Sequence, residues 1–130
     1  MPIGLFDTDT PLRPLRDAIR ERVGAVLERG AFILGPEVRA FEEEFAAYLG
    51  VRHVIGVGNG TDAITIGLRA LGVRADDEVV VPSFTFYATA EAVVNAGARP
   101  VFCDVDPATR NVTADTVRAA LTSRTTARER

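Results

Sequence analysis

Gly56–Val57–Gly58–Asn59–Gly60–Thr61–Asp62 is the stretch on which the reading of this chain turns. An apolar run, His53–Val57, leads into it, and a helical pattern, Ala63–Leu71, follows. Three glycines in five positions keep side-chain bulk away from the backbone. A helix that starts at about Thr61 presents unpaired N–H groups and the positive end of its dipole to this turn. A strand, a glycine-rich turn and a helix N-terminus together form an anion site, most often for a phosphate. A plain strand-to-helix turn with no ligand has the same local signature.

Outward from this point, short apolar runs alternate with helical patterns. Glu78–Val81 reads as a buried strand, Tyr87–Ala96 as a helix stopped by Gly97, and Pro100–Val105 as a third strand. Thr113 caps a helix running to about Leu121. Strands alternating with helices imply an α/β fold with a parallel sheet. Upstream the rhythm is helical. Thr10–Pro11 is a helix start, Leu12, Leu15, Ile19, Val23, Val26 and Leu27 recur at helical spacing over residues 11–29, and Gly30 is the stop. Pro36 opens a second helix with Val38, Phe41, Phe45, Tyr48 and Leu49 on one face; Glu42, Glu43 and Glu44 are expected on its solvated side, and Gly50 ends it. The expected organisation is an N-terminal helical segment (1–52), an incomplete α/β domain (53–121) and a polar tail (122–130). Three strands leave an open sheet edge, so the chain reads as cut short.

Composition narrows the function. The 130 residues carry a net charge of −3 with no basic block, which argues against nucleic acid as the partner. No apolar run is long enough for a bilayer, and Met1–Asp7 lacks the pattern of a signal peptide, so a cytoplasmic protein without membrane contact is expected. Cys103 is the single cysteine, which leaves no internal disulfide and no cysteine-based zinc site. All 15 basic residues are arginine. Chemistry that needs a lysine amine therefore cannot be supplied by these residues.

Three constellations could carry chemistry. The glycine loop approaches a dinucleotide fingerprint, but its third glycine, Gly60, comes one place early, and Asp76 and Asp77 precede a strand where the ribose-binding acid should follow one. A P-loop is excluded by the missing lysine. Pro82–Ser83–Phe84–Thr85–Phe86–Tyr87–Ala88–Thr89–Ala90 follows a buried strand, at the edge where ligands of parallel sheets sit. Its aromatics suit either a platform for a ring or core packing. Asp104 and Asp106 at a strand end could serve a metal or acid–base work, but a turn cap is the favoured reading. No metal site is expected. Cys103 reads as a small buried apolar residue and His53 as structural.

Taken together, several segments resemble the DegT/DnrJ/EryC1/StrS family of pyridoxal-phosphate sugar aminotransferases. They are Phe32–Val38, Gly58–Ala63, Val81–Ala90, Gly97–Phe102, Asp104–Pro107 and Leu121–Thr125, the last extending to Ala127. The resemblance implies the large domain of the aspartate-aminotransferase type (fold type I), a parallel-sheet three-layer sandwich, preceded here by two N-terminal helices. It also implies a homodimer that moves an amino group, as a rule from glutamate, onto a nucleotide-linked keto sugar. By this resemblance Gly60, Thr61 and Asp62 hold the phosphate of pyridoxal 5′-phosphate, and Phe86 stacks on its ring. The lysine that reacts and the aspartate that holds the ring nitrogen belong further along and have no counterpart here. Thr126 stands where a lysine is common, and Arg128–Glu129–Arg130 replaces the start of an apolar strand. The expectation is an N-terminal fragment, inactive alone, with no catalytic residue of its own. Two alternatives stay open: a dehydratase-type member of the family, and a stand-alone phosphate- or nucleotide-binding module.

Overall fold

A computed structural model describes residues 6–7 and 9–125. The chain forms two compact units, residues 1–56 and 57–130.

The first unit is helical. A short helix α1 (Asp9–Leu12) passes through a 3-10 turn, Arg13–Leu15, into α2 (Arg16–Arg29), and α3 (Pro36–Leu49) follows. The single helix expected over 11–29 is thus corrected in two respects. It starts earlier, because the Asp7 carboxylate takes the Thr10 N–H at 3.0 Å. It also tightens at Pro14, which has no N–H to give to the ladder. Both long helices end on a left-handed glycine, Gly30 at φ 67° and Gly50 at φ 68°. Along α3 the rings of Phe41, Phe45 and Tyr48 stack in series, with centroids 5.4 and 6.0 Å apart. That is the face the helical period marks, and it lies open, as does the apolar stripe of α2. Periodicity locates an apolar face but not what covers it.

One acid of α3 departs from expectation. The helical period puts Glu42 on the solvated side. Instead it is half-buried, and its Oε1 accepts the Gly56 N–H at 2.6 Å. The expected strand at His53–Val57 is likewise not a strand. Among the described residues no neighbouring strand offers it a ladder, since β1 (Glu78–Pro82) pairs with β2 (Arg99–Cys103) and, at Glu78 only, with Thr125.

The second unit runs α4 (Gly60–Ala70), β1, α5 (Ala88–Asn95), β2, α6 (Ala114–Ala120). β1 and β2 are parallel, in register from Glu78 opposite Arg99 to Pro82 opposite Cys103. Among the described residues two regular strands stand where three were expected. α5 is the crossover between them and packs on both. Val93 of α5, 1% exposed, meets Val81 of β1 and Ala98, with Leu68, Val73 and Val79 around them. Burying a valine of this kind contributes about 1.5–3 kcal/mol. Cys103 is buried at the end of β2, as its small apolar character implied.

Thr122–Thr125 folds into a turn against the start of β1, where Thr125 forms a parallel bridge with Glu78. The features expected at Thr126 and at 128–130 lie outside the described residues.

Candidate functional site

α4 begins at a cap built entirely from the quoted loop. Asn59 is extended, with φ −166° and ψ 176°, and its Oδ1 accepts the Asp62 N–H at 2.9 Å. The Asn59 Nδ2 donates in turn to Asp62 Oδ2, also at 2.9 Å. Gly58 completes the arrangement by its lack of a side chain: a Cβ there would meet Asp62 Oδ2 at 2.9 Å. Asp62 therefore spends both its N–H and its carboxylate on Asn59. Among the described residues no protein acceptor takes the N–H of Asn59, Gly60 or Thr61. The space beside Gly60 is open, with no atom within 4 Å of a Cβ built on it. Three adjacent donors at the positive end of an eleven-residue helix, with free space in front of Gly60, suit a phosphate.

The aromatic loop stands at the same end of the unit. The buried Thr65 hydroxyl donates to the Ala92 carbonyl at 3.2 Å, and the Arg69 guanidinium donates to the Asn95 carbonyl. The sequence separations of these contacts are 27 and 26, so α4 and α5 run side by side in the same direction. Carried back toward the N-termini, this offset sets Thr61 level with Ala88, the first residue of α5. Phe86 lies next to Tyr87, the N-cap of that helix. Phe86 is 80% exposed, and Phe84 and Tyr87 are exposed as well, so packing into the core does not account for these rings. The backbone beneath them is fixed. Phe86 and Tyr87 carbonyls accept the N–H groups of Thr89 and Ala90 at 3.0 and 3.1 Å, and the Thr85 and Thr89 hydroxyls lie 3.1 Å apart. Ser83 N–H, bonded to the Cys103 carbonyl at 2.9 Å, ties the loop's start to the end of β2.

The structure thus brings Gly60, Thr61, Asp62 and Phe86 to one end of the second unit. The sequence did not assign the structural part of Asn59, although an asparagine three residues before an aspartate at a helix start is a readable capping signal.

Of the other candidates, Asp106 resolves as a turn cap. Asp106 accepts from the N–H groups of Ala108 and Thr109 at 3.1 and 2.7 Å and from the Thr109 hydroxyl at 3.0 Å. The bonds from Thr109, backbone first, hold its carboxyl below the usual carboxylate range. It closes a turn rather than offering a free base. His53 is exposed. Among the described residues no cluster of histidine, cysteine and acids could hold a metal, and no helix is long and apolar enough to cross a membrane.

Residues 14–127 match the model of the DegT/DnrJ/EryC1/StrS aminotransferase family. The chain is similar to the UDP-N-acetyl-3-dehydro-alpha-D-glucosamine 3-aminotransferase of Acidithiobacillus ferrooxidans, with 47% identity over 96% of this chain and 34% of that protein. Among solved structures it resembles DesV of S. venezuelae, with a TM-score of 0.89 and 37% identity over 95% of this chain and 33% of the other. It also resembles NtdA of Bacillus subtilis with bound cofactor PMP, with a TM-score of 0.83 and 35% identity over 96% of this chain and 30% of the other. The chain spans about a third of the length of the proteins it matches. The fold is the N-terminal part of a type I aminotransferase. This chain belongs to the DegT/DnrJ/EryC1/StrS aminotransferase family.

Proposed function

We propose that these residues form the phosphate-and-ring end of a pyridoxal-phosphate site in a sugar aminotransferase. The observation that supports the reading is the parallel run of α4 and α5, by which the start of α4 and the loop before α5 share one end of the unit. Gly60 and Thr61 would donate to the cofactor phosphate. Asp62 would act one step back, holding Asn59 and so the shape of the cap. Phe86 would cover one face of the pyridine ring. When bound, the cofactor supplies an electron sink for amino-group transfer.

The relatives' names support a keto sugar carried on a nucleotide as the substrate class, and glutamate as the amino donor is part of the proposal. A homodimer working in the cytoplasm is part of the same proposal, as is the division of the chain at residues 1–52, 53–121 and 122–130. Residues 1–130 contain no lysine, so the amine that would react with the cofactor is not among them. The 130-residue protein is proposed to bind without transaminating.

The test is a calorimetric titration of the 130-residue protein with pyridoxamine 5′-phosphate and with pyridoxamine. Charge-assisted bonds to the phosphate predict at least about tenfold tighter binding of the phosphorylated compound. Equal affinity for the two, or no binding of pyridoxamine 5′-phosphate, would overturn the proposal. Amino transfer from glutamate by the purified chain would overturn the inactivity.

A further inference from the structure

Glu78 is a charged residue where the chain should have none. It opens the apolar strand Glu78–Val79–Val80–Val81 and is 3% exposed, far from the Phe86 loop at the other end of β1. A buried carboxylate is stable only when its oxygens are matched. Here both are. Oε1 pairs with Arg124 at 2.8 Å, and Oε2 accepts from the Thr122 hydroxyl. The main chain adds a third link, Glu78 N–H to the Arg124 carbonyl at 3.2 Å, beside the parallel bridge to Thr125. The Thr122–Thr125 segment is itself preshaped. Arg124 N–H donates to the Thr122 hydroxyl oxygen at 3.1 Å, Thr122 N–H to the Thr125 hydroxyl at 2.8 Å, and Thr125 N–H to the Thr122 carbonyl at 3.1 Å.

From this geometry we propose that Glu78 is a register clasp: its carboxylate selects the alignment in which the segment after α6 joins the open side of β1. Main-chain bonding alone reads register poorly, since a shift by one residue keeps donors and acceptors available while turning every side chain to the other face. The clasp breaks that degeneracy. A slip by one residue moves Thr122 and Arg124 away from the carboxylate together and leaves a buried charge unmatched. Glu78 touches nothing in the aromatic loop or the α4 cap, so it is a positioning residue, and the inference stands independently of the cofactor.

The clasp also carries a sign in pH. The Thr122 hydroxyl first, and then Arg124, hold the Glu78 carboxyl below the usual carboxylate range. The charged groups near it are Arg124 on the segment and Arg99, its register partner on β2, with Asp77 preceding it in the chain. The clasp is therefore intact above the usual carboxylate range and released as pH falls through the lowered value.

The test is amide hydrogen exchange by NMR on the full 130-residue chain, with the Glu78 N–H as reporter and the Ser83 N–H, bonded to Cys103 across β1 and β2, as control. Glu78→Gln keeps the shape and removes the charge; Thr122→Val removes one hydroxyl. Each is expected to speed exchange at Glu78 about tenfold and to leave Ser83 unchanged, and Thr122→Ser to restore protection. In the unmodified chain, exchange at Glu78 corrected for its intrinsic rate should rise relative to Ser83 on acidification. Unaltered protection at Glu78, or equal acceleration at Glu78 and Ser83, would overturn the clasp. Should Glu78→Gln fail to fold, the threonine pair and the titration decide.

Discussion

Two helices of the second unit begin on a side-chain cap three residues long, and they are finished differently. At α6 the Thr113 hydroxyl takes the Thr116 N–H at 3.2 Å, and the Thr116 hydroxyl takes the Thr113 N–H at 2.9 Å. The box is reciprocal and closes on the backbone. At α4 the Asn59 carbonyl oxygen takes the Asp62 N–H, but the Asp62 carboxylate returns to the Asn59 side-chain amide instead of its backbone N–H. At α6 the Thr113 and Thr116 N–H groups are both taken, and those of Ala114 and Asp115 meet no protein acceptor among the described residues. The α4 cap holds an equally fixed shape while leaving Asn59, Gly60 and Thr61 N–H groups without a protein acceptor among the described residues. The two caps therefore differ in where the third residue spends its oxygen, which leaves the Asn59 N–H open and the Thr113 N–H paired, and Gly60 adds free space that a guest could enter. The glycines follow the same logic, because Gly58 leaves room for Asp62 and Gly60 leaves room for a guest.

The comparison can be broken most severely at Gly60. Asn59 is extended, which suits a residue before proline, and Gly60 is the first helical residue with open space around it. Gly60→Pro should keep α4 while deleting one donor to the ligand. The expected loss is about 1.5–3 kcal/mol of binding to pyridoxamine 5′-phosphate, at least about tenfold in affinity. Calorimetry reads the binding; thermal unfolding should show no loss of stability. Next in size are the two caps. Asn59→Ala and Thr113→Ala should each cost about 1 kcal/mol in urea unfolding. Only Asn59→Ala should also weaken the ligand, and equal effects of the two on binding would erase the distinction drawn between the helices. The smallest expected effect is that of Phe86→Ala on stability, within about 0.5 kcal/mol because the ring is exposed. Its effect on pyridoxamine 5′-phosphate should exceed its effect on orthophosphate, which offers no ring to cover.

Much of this was legible in the sequence where signals are local. Pro36 and Gly50 bound α3, Thr113 announces α6, and the valine run marks β1. The glycine loop and the exposed aromatic loop were found as separate stretches, and parallel topology alone placed them on one edge. What was not legible depends on partners distant in sequence. The apolar run at His53–Val57 has the composition of a strand, but a strand exists only beside another. Glu42 resembles the acids next to it, and nothing local says that its carboxylate meets Gly56, 14 residues on. Glu78 reaches Thr122 across 44 residues. A signal for it was present, since a lone acid heading a run of valines calls for a buried partner, but the identity of the partner is set by tertiary structure.

The most direct measurement is an amide-resolved NMR titration of the 130-residue protein with pyridoxamine 5′-phosphate. The account predicts that the Asn59, Gly60 and Thr61 N–H signals move with saturation while those of Ala114, Asp115 and Thr116, in the first turn of α6, stay in place. Movement at both helix starts alike, or at neither, would contradict it.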